Sequence, residues 1–233
     1  MAATKNTTKK STAKKPKAQT APAAEPVEKE SVASAAVANV PDVEVVDTPA
    51  PACKEAPVAE PEVRVAPKKK IMFVASEAAP FIATGGLAEV IGSLSKAIAK
   101  DENFDVRVIV PLYQDIKKEY RKDFRFIGNI FVPLAWRNQY CGIFEYEKDN
   151  VKFYFVDNEY YFKRPGCYGY YDDGERFAFF CRSVMEILSF LNFYPDILHC
   201  HDWQAALAAL YLKTIYCFRP EYQFIRSVFT IHN

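Results

Sequence analysis

The sequence predicts an open, doubly wound α/β sheet, mostly parallel, preceded by a disordered tail. Three observations carry this. Short apolar runs at 71–75, 106–110, 197–200 and 228–231 alternate with stretches of helical periodicity. Residues 1 to 67 contain no aromatic residue and no glycine, whereas aromatic residues become frequent beyond Lys68-Lys69-Lys70. All three histidines of the chain, His199, His201 and His232, fall near the carboxyl ends of the expected strands. In an open α/β sheet ligands bind beyond those ends.

The tail is read first. It holds more than half of the 15 prolines, much alanine, six lysines and no acid in its first twenty residues, and nine acids from Glu25 onward. Such a composition buries too little apolar surface to offset the entropy of ordering. Three readings stand: a solvated linker, a lysine arm for a polyanion, and a targeting peptide. The lack of an apolar h-region argues against a secretory signal, and nine acids argue against a transit peptide, although the lysine-rich start keeps that reading open. The composition shift sets the domain boundary, giving a tail at 1–67 and a folded unit at 68–233.

Ile71-Met72-Phe73-Val74-Ala75 reads as a buried strand. Leu87, Val90, Ile91, Leu94 and Ile98 share one helix face. Between them lies Thr84-Gly85-Gly86, a turn that aims free N–H groups outward at a helix start. Two readings are open: a turn that only lets the helix begin, or a cradle for an anion or a sugar. The spacing is neither Gly-x-Gly-x-x-Gly nor a Walker loop, which argues against a dinucleotide-binding domain.

Asp105 to Pro111 is the second strand and completes a βαβ unit. Gln114 to Arg121 reads as a short helix and Phe124 to Leu134 as extended. Tyr140–Tyr146 and Val151–Val156 flank Glu147-Lys148-Asp149-Asn150, a hairpin inserted in the α/β order. An aromatic loop, 158–173, carries Pro165, Gly166 and Gly169 and is either functional or packed surface. Glu175 to Asn192 is an amphipathic helix whose apolar residues belong to the core. Asp196 to His201 is a strand, Gln204 to Lys213 a helix, and Arg226 to Ile231 a strand.

The chain has 233 residues, is 50% hydrophobic and carries a formal charge of +1. That balance gives no reason for bulk nucleic-acid binding. No apolar run approaches the length of a bilayer span, so no membrane partner is expected. The six cysteines are scattered without a Cys-x-x-Cys pair and read as reduced thiols of a cytosolic protein. No metal-ligand spacing occurs.

The residues then point to a family. Val74-Ala75-Ser76-Glu77-Ala78-Ala79-Pro80-Phe81 with Thr84-Gly85-Gly86-Leu87-Ala88-Glu89-Val90 resembles the N-terminus of bacterial glycogen and plant starch synthases that use ADP-glucose. His199-Cys200-His201-Asp202-Trp203-Gln204 is similar to that family's His-x-His-Asp-Trp motif. Val228-Phe229-Thr230-Ile231-His232-Asn233 is similar to its Val-Phe-Thr-Ile-His-Asn strand end, and Asp172-Asp173-Gly174-Glu175-Arg176-Phe177 to its Asp-Asn-x-Glu-Arg-Phe segment. The resemblance spans residues 69 to 233.

It implies a GT-B architecture, two Rossmann-like domains across a cleft. This chain would be nearly all of the first, with the C-terminal domain absent. It implies transfer of glucose from ADP-glucose to the non-reducing end of an α-1,4-glucan with retention. The partners implied are that donor, glycogen or starch, and the second domain. No cofactor and no metal are implied. By the family pattern His201 and Asp172 are the catalytic-site groups, at the glucose and near donor and acceptor. Ala83, Thr84, Gly85, Gly86, Glu89 and Asn233 would hold the donor, and Glu77 and His232 would line the site or meet the glucan. His199 and Asp202 read as groups that fix the loop. Ala83 stands where the family has lysine and Glu89 where it favours aspartate. Lys163 and Arg164 are the candidate replacements for the missing base. The implied compartment is the bacterial cytosol, with a plastid as the alternative. The competing function is a glucan or nucleotide-sugar binding module without catalysis.

Overall fold

A computed structural model of the chain describes residues 67–232. The expected tail therefore lies outside the described residues, except for Pro67, as does Asn233.

The first strand, β1 (Lys69–Val74), is apolar throughout its second half because it is buried on both faces. It pairs in parallel with β2 (Phe104–Pro111) on one side and with β6 (Ile197–His201) on the other. Strand β6 pairs in parallel with β7 (Arg226–Thr230), which forms one edge. On the other side β2 pairs in parallel with β5 (Val151–Asp157). Antiparallel β4 (Arg137–Lys148) and β3 (Arg125–Leu134) extend the sheet to the order β3-β4-β5-β2-β1-β6-β7.

The hairpin forms where expected, with its two-residue loop at Asp149 and Asn150. Both have positive φ, 52° and 63°, as a type I′ turn requires. The structure adds that β5 is itself a member of the parallel sheet. The hairpin is thus how the chain widens the sheet rather than an appendage.

Helix α1 (Gly86–Ile98) buries Leu87, Ala88, Ile91 and Ser95. A Cβ on Gly92 would come within 2.8 Å of the Ala79 carbonyl oxygen, so glycine there lets α1 approach the 78–82 turn. The expected helix at 114–121 shrinks to one turn, α2 (Lys118–Arg121). Upstream of it the backbone is otherwise engaged: the Gln114 N–H donates to the Phe162 carbonyl. A short helix, α3 (Glu159–Phe162), is capped by the Asn158 side chain, which accepts from the Tyr161 N–H. Helix α4 (Asp173–Phe190) starts two residues earlier than its periodicity suggests and buries Phe177, Phe179 and Phe180. Helix α5 (Asp202–Thr214) also starts two residues early, directly at the end of β6, because Asp202 takes a left-handed φ of 58°.

The core is aromatic. Phe81, from the turn after β1, meets Phe153, Phe155 and Tyr146 edge-on at 4.9, 5.1 and 5.5 Å between ring centroids. Burial pushes the Cys141, Cys167 and Cys200 thiols up to about 12, so they are inert at neutral pH. No described helix is long and apolar enough to cross a membrane.

Candidate active site

A cleft of about 550 Å³ opens at the carboxyl ends of β1, β6 and β7. It is lined by Glu77, Thr84, Gly85, Gly86, Leu87 and Val90 around the start of α1, and by Tyr168, Asp202, Trp203, Gln204 and His232. Four segments build it: the turn from β1 to α1, the loop that carries Tyr168, the junction of β6 with α5, and the segment after β7.

The first wall is the glycine turn. Gly85 is the N-cap of α1 with extended backbone (φ −159°), and no side chain caps the helix. The first-turn N–H groups have no intrahelical acceptor, so the positive end of the helix dipole faces the cleft. Cβ atoms at Gly85 and Gly86 would meet nothing within 4 Å, so neither packing nor a left-handed backbone calls for glycine at Gly85. Glycine is an ordinary N-cap residue, so the turn starts the helix, and the open space beside it leaves room for close approach of a ligand.

Glu77 fixes this turn. Nearly buried, it accepts from the Thr84 N–H, from Thr84 Oγ1 at 2.7 Å and from the Tyr168 hydroxyl at 2.5 Å. Its carboxylate is thus spent on the protein. The Asp202 carboxylate is spent likewise, accepting the His232 N–H at 2.6 Å. This agrees with the loop-fixing reading of Asp202. His199 pairs with Thr230 Oγ1 at 2.8 Å and so ties β6 to the end of β7.

The histidines form a stack. His199 and His201, two residues apart on β6, share one face and lie 4.1 Å apart between centroids. Phe73 of β1 lies against both rings. His201 Nδ1 and His232 Nε2 are 2.9 Å apart and share one proton. His201 is buried, and burial, then His199 and His232, bring its pKa down to about 3. It is therefore neutral at physiological pH. Its Nε2 is buried without a protein partner. A polar atom in that state calls for a ligand group or an ordered water.

This has a consequence for stability. A neutral buried histidine binds no proton between its unfolded value of 6.5 and about 3, whereas the unfolded chain does. Stability conferred by the neutral ring is fully present above pH 6.5 and is lost as pH falls toward 3. The loss from this group is at most about 1.4 kcal/mol per pH unit. Urea unfolding at pH 7 and pH 5 should show the decline, and His201→Phe should flatten it.

The expected site residues divide. Glu77, Thr84, Gly85, Gly86 and His232 line the cleft, and His201 adjoins it through His232. Ala83 is exposed beside Thr84 but does not line the cleft. Glu89 is not brought there. Helical rotation turns Leu87 and Val90 to the cleft and Glu89 to a separate groove with Ala79, Pro80, Lys96 and Asp149. Asp172 is also not among the lining residues. It is the N-cap residue of α4, held by Arg164 through two bonds of 2.7 and 2.9 Å, and that guanidinium keeps its carboxyl below the usual range. Arg164 is therefore engaged, Lys163 pairs with Glu159 at 2.8 Å on the exposed surface, and neither lines the cleft. None of the cleft-lining residues is lysine or arginine. Among the described residues no group of three or more histidine, cysteine or acidic side chains is placed to hold a metal.

Sequence reasoning did not name Tyr168, Trp203, Gln204, Leu87 or Val90 as site residues. The signals existed: Tyr168 lies between the two loop glycines, and Trp203 and Gln204 follow His201 and Asp202 directly.

The profile of the starch synthase catalytic domain matches residues 70–233, which include every residue of the cleft. The chain belongs to this family. Within it, the chain is 52% identical over 164 residues to the glycogen synthase of Desulforamulus reducens and 49% identical over 164 residues to that of Lactobacillus acidophilus. Each match covers 70% of this chain and 34% of the relative, so the chain spans about a third of those relatives' length. Among solved structures it resembles the catalytic domain of starch synthase IV from Arabidopsis thaliana bound to ADP and acarbose. There the identity is 27% and the TM-score 0.64, covering 72% of this chain and 34% of that one. The mixed sheet described above is thus the fold of this family's catalytic domain.

Proposed function

We propose that residues 68–233 supply one wall of a glucosyl-transfer site, in which glucose passes from ADP-glucose to the non-reducing end of an α-1,4-glucan with retention. The observation that carries this is one cleft lined both by the open N-terminus of α1, with its two unobstructed glycines, and by His232, which is bonded to His201, in a chain of this family. The solved relative is bound to ADP and acarbose, a nucleotide and a glucan-like ligand, which supports the substrate classes.

The chemistry follows from the geometry. As ADP departs, negative charge grows on the diphosphate, and preorganised N–H donors lower the barrier where that charge develops. The first turn of α1 offers such donors. The neutral His201 offers Nε2 to a sugar hydroxyl, as donor or acceptor according to which nitrogen takes the shared proton. With no cationic side chain in this wall, the rest of the diphosphate's countercharge comes from a further polypeptide unit, corresponding to the two thirds of the relatives' length that this chain does not match.

Labelled glucose transfer from ADP-glucose to glycogen tests the proposal. This chain alone should be inactive, and the same chain carrying a relative's remaining two thirds should transfer. Failure of the extended protein, with glucan binding retained by the chain, would replace transfer by binding as the function. Ala83→Lys in the extended protein should tighten ADP-glucose binding, because one charge-assisted contact is worth about 1.5–3 kcal/mol. Unchanged affinity in a titration would show that position 83 does not face the phosphates.

A further inference from the structure

The glycine turn is exposed, uncapped and loosely surrounded, yet a ligand cradle needs a fixed geometry. Residues 83–86 are all exposed. Besides the ladder of α1 itself, Glu77 is the only hydrogen-bond partner they have among the described residues. What holds Glu77 therefore sets the turn.

Glu77 is held from far along the chain. The Tyr168 hydroxyl donates its one proton to Glu77 Oε1 at 2.5 Å, and Ser76 Oγ, at 2.7 Å, then donates to the phenol oxygen. Burial and the Glu77 carboxylate keep the phenol protonated, so it remains a donor. Tyr168 is the one residue of the loop 163–171 that lines the cleft. The loop is tied down behind it. The Gly169 and Tyr170 N–H groups donate to Asp173 Oδ2 at 2.8 and 3.1 Å. Arg176, fully buried, reaches the Cys167 carbonyl at 3.2 Å, the Tyr161 carbonyl at 2.8 Å and Asp173 at 2.5 Å. A continuous polar chain thus runs from the start of α4 through the loop to Tyr168, Glu77 and Thr84.

We propose that Tyr168 is a positioning residue: through it the loop 163–171 fixes Glu77, and through Glu77 the Thr84–Gly86 turn. The loop and the cradle then form one unit, and displacement of the loop loosens the N-terminus of α1. That the cradle takes a diphosphate rests on the function proposed above; that the loop sets the cradle does not.

Amide hydrogen exchange tests it on the whole chain without any ligand. Tyr168→Phe removes both bonds of the phenol and keeps the ring beside Phe177. The Thr84 amide should exchange about tenfold faster, the effect of losing one net hydrogen bond. Amides within β1 and α4 should be unchanged, which a general loss of stability would not produce. Gly169→Ala strains the loop at its φ of +94°, touches neither Glu77 nor Thr84, and should have the same local effect. In a Glu77→Gln background, Tyr168→Phe should add little, since both act on one link. Unchanged Thr84 exchange in both variants, or full additivity with Glu77→Gln, would overturn the proposal. A parallel ADP titration separates the two ideas. Failure of the unsubstituted chain to bind ADP would count against the donor site alone, while the exchange result would still decide the role of Tyr168.

Discussion

Replacing Arg176 with alanine should cost the fold about 3–5 kcal/mol, the usual loss when one partner of a buried ion pair is removed. The side chain is fully buried, and its guanidinium serves the Asp173 carboxylate and the carbonyls of Tyr161 and Cys167. It also lies over the rings of Phe162, Tyr170 and Phe177 at 5.7, 4.8 and 5.5 Å. Truncation leaves an acid without its cation, two carbonyls without donors and a large void. For a domain of this size the melting temperature should fall by roughly 10 °C. Arg176→Met keeps much of the volume and should cost less than Arg176→Ala. Urea denaturation of the three proteins gives the ranking. A loss below about 1 kcal/mol for Arg176→Ala would mean that the loop is held by something other than this guanidinium.

Gly86→Val should do the opposite: spare the fold and damage the site. A Cβ at Gly86 meets nothing within 4 Å, and valine is a better helix residue than glycine. Unfolding free energy should stay level or rise slightly. The branched side chain would occupy the space a phosphate needs beside the first N–H groups of α1. Loss of one charge-assisted bond there corresponds to a roughly 10- to 150-fold weaker ADP affinity. Calorimetric titration and thermal unfolding on one preparation separate the two effects. Equal ADP affinity in Gly86→Val and the unsubstituted chain would remove the turn from the donor site.

Much of the fold was legible because the strands that form the parallel sheet each carry a short, mostly apolar run between stretches of helical periodicity. Asp149-Asn150 was legible as a turn because asparagine and aspartate tolerate positive φ. The helix at 114–121 misled because its periodicity is real but its upstream backbone bonds elsewhere, at the Phe162 carbonyl. The early start of α5 was not read, although Asp202 is of a residue type that tolerates the left-handed backbone it adopts. In the site, the glycine turn came from local pattern, and the histidines from their places near strand ends, but the sequence did not show that His201 and His232 pair. Glu89 and Asp172 lie outside the cleft's lining for distinct reasons. Glu89 differs from Leu87 and Val90 by a rotation around the helix, which motif spacing does not show. Asp172 is claimed by Arg164, eight residues away across a loop whose path the sequence does not give. Glu77 appeared as a lining group. Its role as the anchor of Thr84 depends on Tyr168, ninety-one residues distant, and only the folded chain brings them together.

The central claim is that the N-terminus of α1 receives the donor's diphosphate. Titration of the isotope-labelled chain with ADP at millimolar concentration, read by backbone amide resonances, tests it most directly. The account predicts saturable shifts concentrated at Gly85, Gly86, Leu87 and His232, with the hairpin of β4 and β5 undisturbed. Shifts confined to another surface, such as the groove that holds Glu89 and Lys96, would contradict it.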